Sequence, residues 1–269
     1  MSDSVIVERA GHVAVVTLNR PEARNALTPE MLCLLADAFT LIRVDDAIRV
    51  AILTGTGDAA FCAGGDLGST LPLMTGARRA NDDFERRMLD DPAVMAASSL
   101  RDFPLHKPVI AAINGACLAA GFEMVLGTDI RVAAAHASFG LPEVQRALIP
   151  FAGSMVRLPR QIPYALAMEL LLTGRPMNAS AALRCGLVNH VVPAGQVMDK
   201  AREIASQIAA NGPMAVRAVK QTVMEASGLP LEVGYRLEDR AKREVFASGD
   251  AREGPRSFME KRAPVYAGR

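Results

Sequence analysis

Two short β-branched runs separated by one helix-length segment limit the folds open to this chain more than any other feature of its sequence. His12–Leu18 (HVAVVTL) reads as a strand that stops at Asn19-Arg20-Pro21, and Arg49–Thr54 (RVAILT) reads as another. Between them Thr28 is placed to cap a helix and Pro29 suits its first position. Leu32, Leu35, Ala36 and Phe39 then recur at helical spacing as far as Asp45-Asp46. Strand, helix and strand make a βαβ unit. The apolar runs Pro108–Ile113 and Ile130–Ala135 extend the theme as buried strands, so the predicted fold class is α/β.

After Phe151 the pattern becomes helical. Gln161–Thr173, Asn178–Cys185, Gln196–Ala210 and Pro213–Ala226 read as helices, punctuated by Gly174, Gly186 and Gly212-Pro213. Pro230–Arg262 carries charge at helical spacing with few residues to bury by itself, so it is predicted to pack on something else, a neighbouring subunit being one candidate. At 269 residues, half of them apolar, the chain can bury one core and carry a smaller appendage. A soft boundary is expected near residue 200, with a core over 1–200 and a C-terminal helical segment over 201–269.

Several function classes drop out on charge and cysteine usage. Thirty basic residues against twenty-nine acidic ones leave a net charge of +1, which offers no general attraction to nucleic acid or an anionic membrane. An RNA-binding or scaffolding role would need a basic stripe or an aromatic platform, and the chain has three Tyr and no Trp. No stretch reaches the roughly 18 apolar residues of a membrane span, and the start carries no signal-peptide pattern. Cys33, Cys62, Cys117 and Cys185 stand singly, without CxxC spacing, as reduced thiols of a cytoplasmic protein would. His12, His106, His136 and His190 fall at no ligand spacing, so no metal site is expected.

Among local motifs, Gly55-Thr56-Gly57-Asp58-Ala59-Ala60 spells a relaxed dinucleotide fingerprint, yet Phe61–Asp66 defers the helix such a motif must enter. Two small-residue loops carry more. Ala63-Gly64-Gly65-Asp66 follows a strand, where glycines expose unpaired N–H groups as an anion or oxyanion cradle, or form a tight surface turn. Asn114–Gly121 is almost devoid of bulk and leads into Phe122–Leu126, predicted as a helix whose first N–H groups are orphan donors. Two N–H loops suit a developing thioester oxyanion. Glu123 sits among Phe122, Met124, Val125 and Leu126, as a catalytic acid or as a carboxylate paired with Arg131 or Arg146. Glu143 follows Leu141-Pro142, where an exposed first-turn glutamate is the plain alternative. Neither Cys62 nor Cys117 has a sequence-neighbouring His to activate it, and no G-x-S-x-G elbow is present.

Taken together, NRPEARNAL at 19–27, AFCAGGDL at 60–67, KPVIAAINGACLAAGFEM at 107–124, SFGLPEVQRALIP at 138–150 and LLTGRPMNASAALRCGLVNHVVP at 171–193 resemble the crotonase superfamily of enoyl-CoA hydratases and isomerases. The resemblance runs from about residue 5 to residue 266 and is closest to the hydratases. It implies a spiral core of ββα units with a C-terminal helical oligomerisation module, a homotrimer or a hexamer made of two trimers, and an acyl-CoA substrate with no cofactor beyond that coenzyme A.

The resemblance also implies roles. The backbone N–H groups of Gly65 and Ala120 become the oxyanion hole, and Glu123 and Glu143, twenty residues apart as in the hydratases, grip one water. Glu123 would activate that water and Glu143 would give a proton to the α carbon. Coenzyme A would meet main chain near Ala26, Ala63 and Leu67, with Asp66 in the same loop and Arg24 as the phosphate contact. Glu22 stands where many relatives carry Lys, which shifts weight to Arg24, Arg20 or Lys261-Arg262. Ala119-Ala120 replace a run of glycines, and Phe151, Ser154 and Met155 replace smaller or polar residues where the acyl pocket is expected. The stretch from Asp66 to Lys107 is longer than in a short-chain hydratase. A Δ3,Δ2-enoyl-CoA isomerase needs a single carboxylate here, so the pair points to a hydratase, with a carnitinyl-CoA type of dehydratase using the same pair.

Overall fold

The structure, a computed structural model, describes residues 4–268. Its first two strands, β1 (Val5–Ala10) and β2 (Val13–Leu18), form an antiparallel hairpin. Helix α1 (Pro29–Val44) crosses to β3 (Val50–Gly55), which lies parallel to β2. Thr28 caps α1 by accepting the Met31 N–H, and Pro29 takes the first helical position, as their sequence spacing predicts. Met31, Leu35, Phe39 and Ile42 are buried along one face of α1.

Three strands of the large sheet, β3 and the two that follow it there, are each followed at once by a short strand in a second sheet. β3 is followed by β4 (Ala60–Cys62), β5 (Val109–Ile113) by β6 (Ala116–Leu118), and β7 (Ile130–Ala134) by β8 (Ser138–Gly140). With β9 (Met177–Asn178) and β10 (His190–Val192), the six-stranded sheet has the order β1-β2-β3-β5-β7-β10 and the four-stranded sheet β4-β6-β8-β9. Every residue of β3 and β5 is buried, as strands covered on both faces require. This is the α/β spiral expected from the sequence resemblance.

The long stretch between Asp66 and Lys107 folds as three helices, α2 (Thr70–Met74), α3 (Asp83–Asp90) and α4 (Pro92–Ser98), and α5 (Ala120–Val125) follows β6. The helical run read as Gln161–Thr173 is α7 (Tyr164–Thr173), while Gln161 closes a separate preceding helix, α6 (Ser154–Gln161), that the sequence reading did not mark. Pro163 forces the break, because Ile162 before it is extended at φ −133° and ψ 165°. α8 (Ala179–Arg184) is capped by the Asn178 side chain.

The boundary expected at 200/201 falls inside α9 (Val197–Ala210), whose Val197, Ala201 and Ala205 are buried in the core with the large sheet. The outlying helices are therefore α10 (Pro213–Ala226), α11 (Leu231–Phe246) and α12 (Asp250–Met259). α10 and α11 bury no residue of their own, which fits a segment with few residues to bury alone. No helix is long and apolar enough to cross a membrane, among the described residues.

One buried side chain fixes the first site loop. Asn25 is fully buried at φ +55°, a left-handed conformation that Asn tolerates better than most residues. Its Oδ1 accepts the Arg20 N–H at 2.9 Å, and its Nδ2 donates to the carbonyls of Thr56 at 3.1 Å and Ala60 at 2.9 Å. The turn so held bonds the next loop, with Ala63 N–H donating to the Arg24 carbonyl and Leu27 N–H to that of Gly64. Asn25→Ala removes all three bonds, strands the Arg20 N–H and the Thr56 carbonyl while Asn114 Nδ2 still donates to the Ala60 carbonyl at 3.2 Å, and should cost about 2–4 kcal/mol. A lowered urea midpoint with an unchanged m value would show it.

Candidate active site

Parallel pairing in the small sheet assembles the site. β4 pairs with β6, placing Cys62 opposite Cys117, and β6 pairs with β8, placing Leu118 opposite Gly140. Parallel neighbours release their chains at the same end, so Ala63–Asp66, Ala119-Ala120 and Leu141–Glu143 emerge side by side. The first two loops touch: Gly64 has φ +109°, and a Cβ built on it would lie 2.6 Å from the Ala119 Cβ and 3.6 Å from the Ala120 nitrogen. Only glycine fits there.

Both N–H groups singled out in the sequence are available. Leu27 and Gly65 form a parallel bridge whose hydrogen bonds run from Leu27 N–H to Gly64 and from Asp66 N–H to Leu27, leaving the Gly65 N–H unpaired among the described residues. Ala120 is the first residue of α5, where an N–H has no acceptor within the helix, and no other described residue accepts it. Ala119 before it sits at φ 49° and ψ −128°, a region that costs a residue with a Cβ on the order of 1–3 kcal/mol. Alanine at this position thus keeps the turn and strains it.

Glu123 lies one turn into α5, with 2% of its surface exposed. Its Oε1 accepts the Ala152 N–H at 2.7 Å and the Ser154 hydroxyl at 2.6 Å. Burial raises its pKa, and these hydrogen bonds oppose the rise. Neither arginine weighed as its partner pairs with it. Arg131 donates to the carbonyls of Val125, Leu187 and Thr128 and to Gln161 Oε1, while Arg146 donates to the Pro142 carbonyl.

Glu143 stands in a short 3-10 helix, Pro142–Arg146, and differs in kind. Its Oε2 is buried without a hydrogen bond, and burial together with the nearby charge of Glu123 pushes its carboxyl up to about 7. It is therefore not the exposed first-turn glutamate of the plain alternative. One carboxylate held by donors from α6 and its approach, and one with a buried oxygen that no donor reaches, suit simultaneous base and acid chemistry near neutral pH. Cys62 and Cys117 lie beneath these loops fully buried; burial pushes the Cys62 thiol up to about 12 and raises that of Cys117, which suits packing and not attack.

The expected coenzyme contacts cluster at the same end. Ala63 bonds Arg24, Leu67 is exposed, and Ala26 accepts a hydrogen bond from Arg20. Asp66 is committed within the protein: its carboxylate accepts from Arg20 at 2.5 Å and from the Gly68 and Ser69 N–H groups. Burial opposes its ionisation, but the Arg20 and Ser69 hydrogen bonds outweigh it and hold its pKa below the ordinary value. Of the arginines weighed for a phosphate contact, Arg20 is engaged by Asp66 and Arg262 by Glu253 and Glu260. Arg24 is exposed on the rim, and its guanidinium makes no hydrogen bond to a described residue.

Behind Ala152 and Ser154 lies a cleft of about 370 Å³, walled by Phe151, Met155 and Val156 with Arg101 and Arg157. It occupies the segment where sequence comparison expects an acyl pocket. The hold of Ala152 and Ser154 on Glu123 is the part of the site that sequence reasoning missed. Its one signal was a small hydroxyl residue among the departures after Ile149-Pro150.

Comparison with known proteins bears on this geometry. The model of a family described as enoyl-CoA hydratase/isomerase matches residues 8–269. The chain is 44% identical to the enoyl-CoA hydratase EchA19 of Mycobacterium tuberculosis, over 98% of this chain and 96% of that one. It is 41% identical to a carnitinyl-CoA dehydratase of Proteus mirabilis, over the full length of both. A crystal structure of an enoyl-CoA hydratase from Bacillus anthracis superposes with a TM-score of 0.89 at 38% identity, covering 99% of this chain and 100% of that one.

The raised pKa of Glu143 has a consequence for stability that needs no substrate. A carboxyl moved from its ordinary 4.5 to about 7 on folding contributes stability that is present below the lower value and lost as pH rises through the upper. Glu143→Gln removes this dependence. Its melting temperature should exceed that of the wild type at pH 8 and converge with it near pH 4, as thermal melts followed by circular dichroism across that range would show.

Proposed function

This chain is an enzyme that belongs to the enoyl-CoA hydratase/isomerase family, and we propose that it is an enoyl-CoA hydratase, adding water reversibly to a trans-2-enoyl-CoA thioester to give the 3-hydroxyacyl-CoA. The observation that carries this reading is the inequality of the two glutamates. Glu123 receives two hydrogen bonds on one oxygen, and Glu143 has a buried oxygen with none and a carboxyl near 7. Hydration needs a base and an acid together, whereas moving a double bond can be done with one carboxylate shuttling one proton.

In this reading the thioester carbonyl lies between the Gly65 and Ala120 N–H groups. Glu123 as carboxylate takes a proton from a water whose oxygen bonds to C3. The electrons of the double bond move toward the thioester oxygen, where the two N–H groups offset the developing charge, each worth about 3–4 kcal/mol. Glu143 as carboxylic acid then delivers its proton to C2. Transfer of the proton from Glu123 back to Glu143 restores the starting state. No cofactor takes part beyond the coenzyme A that arrives with the substrate, its phosphates meeting Arg24 and its chain running past Ala26, Ala63 and Leu67.

Full-length similarity to carnitinyl-CoA dehydratases supports a second reading, in which the same pair runs in the dehydrating direction on a 3-hydroxyacyl-CoA. The enzyme of either reading is cytoplasmic. It is also a homotrimer or a hexamer of two trimers, supported by helices that bury nothing of their own and by an apolar groove of about 600 Å³ along α10. Val219, Val223 and Phe246 are exposed on these helices.

On a panel of trans-2-enoyl-CoA esters, Glu123→Gln and Glu143→Gln should each lose about 100-fold or more in kcat. Wild-type hydration by both variants would sink the mechanism. Equilibrium sedimentation should give a mass of three or six chains, and a stable monomer at working concentration would remove the assembly.

A further inference from the structure

We infer that Ser154 is a positioning residue for Glu123, and that with Ala152 it decides which oxygen of that carboxylate does the chemistry. The contact stands on geometry alone; its kinetic consequence rests on the two-glutamate reading above.

Ser154 is completely buried and opens α6. Gly153 before it has φ +105°, and this left-handed turn lets the Ala152 N–H and the Ser154 hydroxyl both face Glu123. Both hydrogen bonds end on Oε1, at 2.7 and 2.6 Å, and the hydroxyl donates to no other described residue. A carboxylate oxygen offers about two lone-pair sites, so these donors saturate Oε1 and stop the carboxylate from turning. Oε2, which neither bond reaches, is the oxygen left to take a proton from water.

One further feature fits this assignment. Arg157, three residues along α6, is anchored by the Ser99 and Leu100 carbonyls, near enough that the charge of Glu123 favours its protonated form. A main-chain N–H alone would hold Oε1 from one side; the hydroxyl is an addition this chain makes through its own side chain. Removing it frees one lone pair of Oε1 and withdraws a donor that favours the ionised form.

The test uses the full-length protein and two variants. Ser154→Ala removes the donor, and Ser154→Cys keeps a weaker donor on a somewhat larger atom. With enoyl-CoA substrates, Ser154→Ala should lose about 10- to 50-fold in kcat with KM within about twofold of wild type, since the base is misplaced and binding is not. The acidic limb of its kcat/KM profile should move up by about half a pH unit or more, with Ser154→Cys between the two. Without substrate, carboxyl-13C-glutamate labelling and NMR titration, with the Glu123 signal assigned from Glu123→Gln, should show the same upward shift.

A folded Ser154→Ala or Ser154→Cys protein whose Glu123 titration and kcat both match wild type overturns the inference. If Ser154→Ala does not fold, the Ser154→Cys measurements decide in the same way. If the wild type hydrates no ester of the panel while the NMR shift is seen, the proposed function fails and the positioning role stands.

Discussion

The parallel alignment of β4, β6 and β8 is the constraint on which the rest depends. These strands are only three residues each, and they matter through where they let the chain go. Because all three point the same way, a glycine loop, a helix start and a glutamate from segments some eighty residues apart in sequence share one end of one sheet. Antiparallel pairing would send alternate loops to opposite ends. The larger sheet, with its wholly buried β3 and β5, is the rigid body against which this alignment is kept.

The site's electrostatics grow from unequal burial. Glu123 is the more deeply placed carboxyl, yet its donors favour ionisation; Glu143 is nearer the surface, yet has nothing to stabilise a charge on its buried oxygen. Proximity sharpens the contrast, since a charge on the first makes a charge on the second harder to hold. Acid and base are thereby set apart by their neighbours, with the same functional group in both places.

Much of this was legible in the sequence, and what was not has a physical reason. The strands β2, β3, β5 and β7 and the capped helix α1 announce themselves because apolar period and turn residues agree within each segment. β1 went unread: most of its residues are exposed, so VIVERA carries little apolar pattern. The charged helix α3, DFERRMLD, buries mainly Met88 and Glu85 and is held by its Asp82 cap and tertiary contacts more than by pattern. At the site, Gly65, Ala120, Glu123 and Glu143 could be named from resemblance. The grip of Ser154 on Glu123 joins residues thirty-one apart and exists only once α5 and α6 are packed.

Gly64 and Ala119 show what such packing does to the freedom of a sequence. A Cβ at 64 and the one already present at 119 would stand 2.6 Å apart, so the two positions share space for a single methyl group. The methyl has been spent at 119, on the strained side of the gap, which closes position 64 to any change. Glycine at 119 would not reopen it, because the φ of +109° at 64 strains any residue with a Cβ, so this loop is closed to change both by its own backbone and by an atom fifty-five residues away.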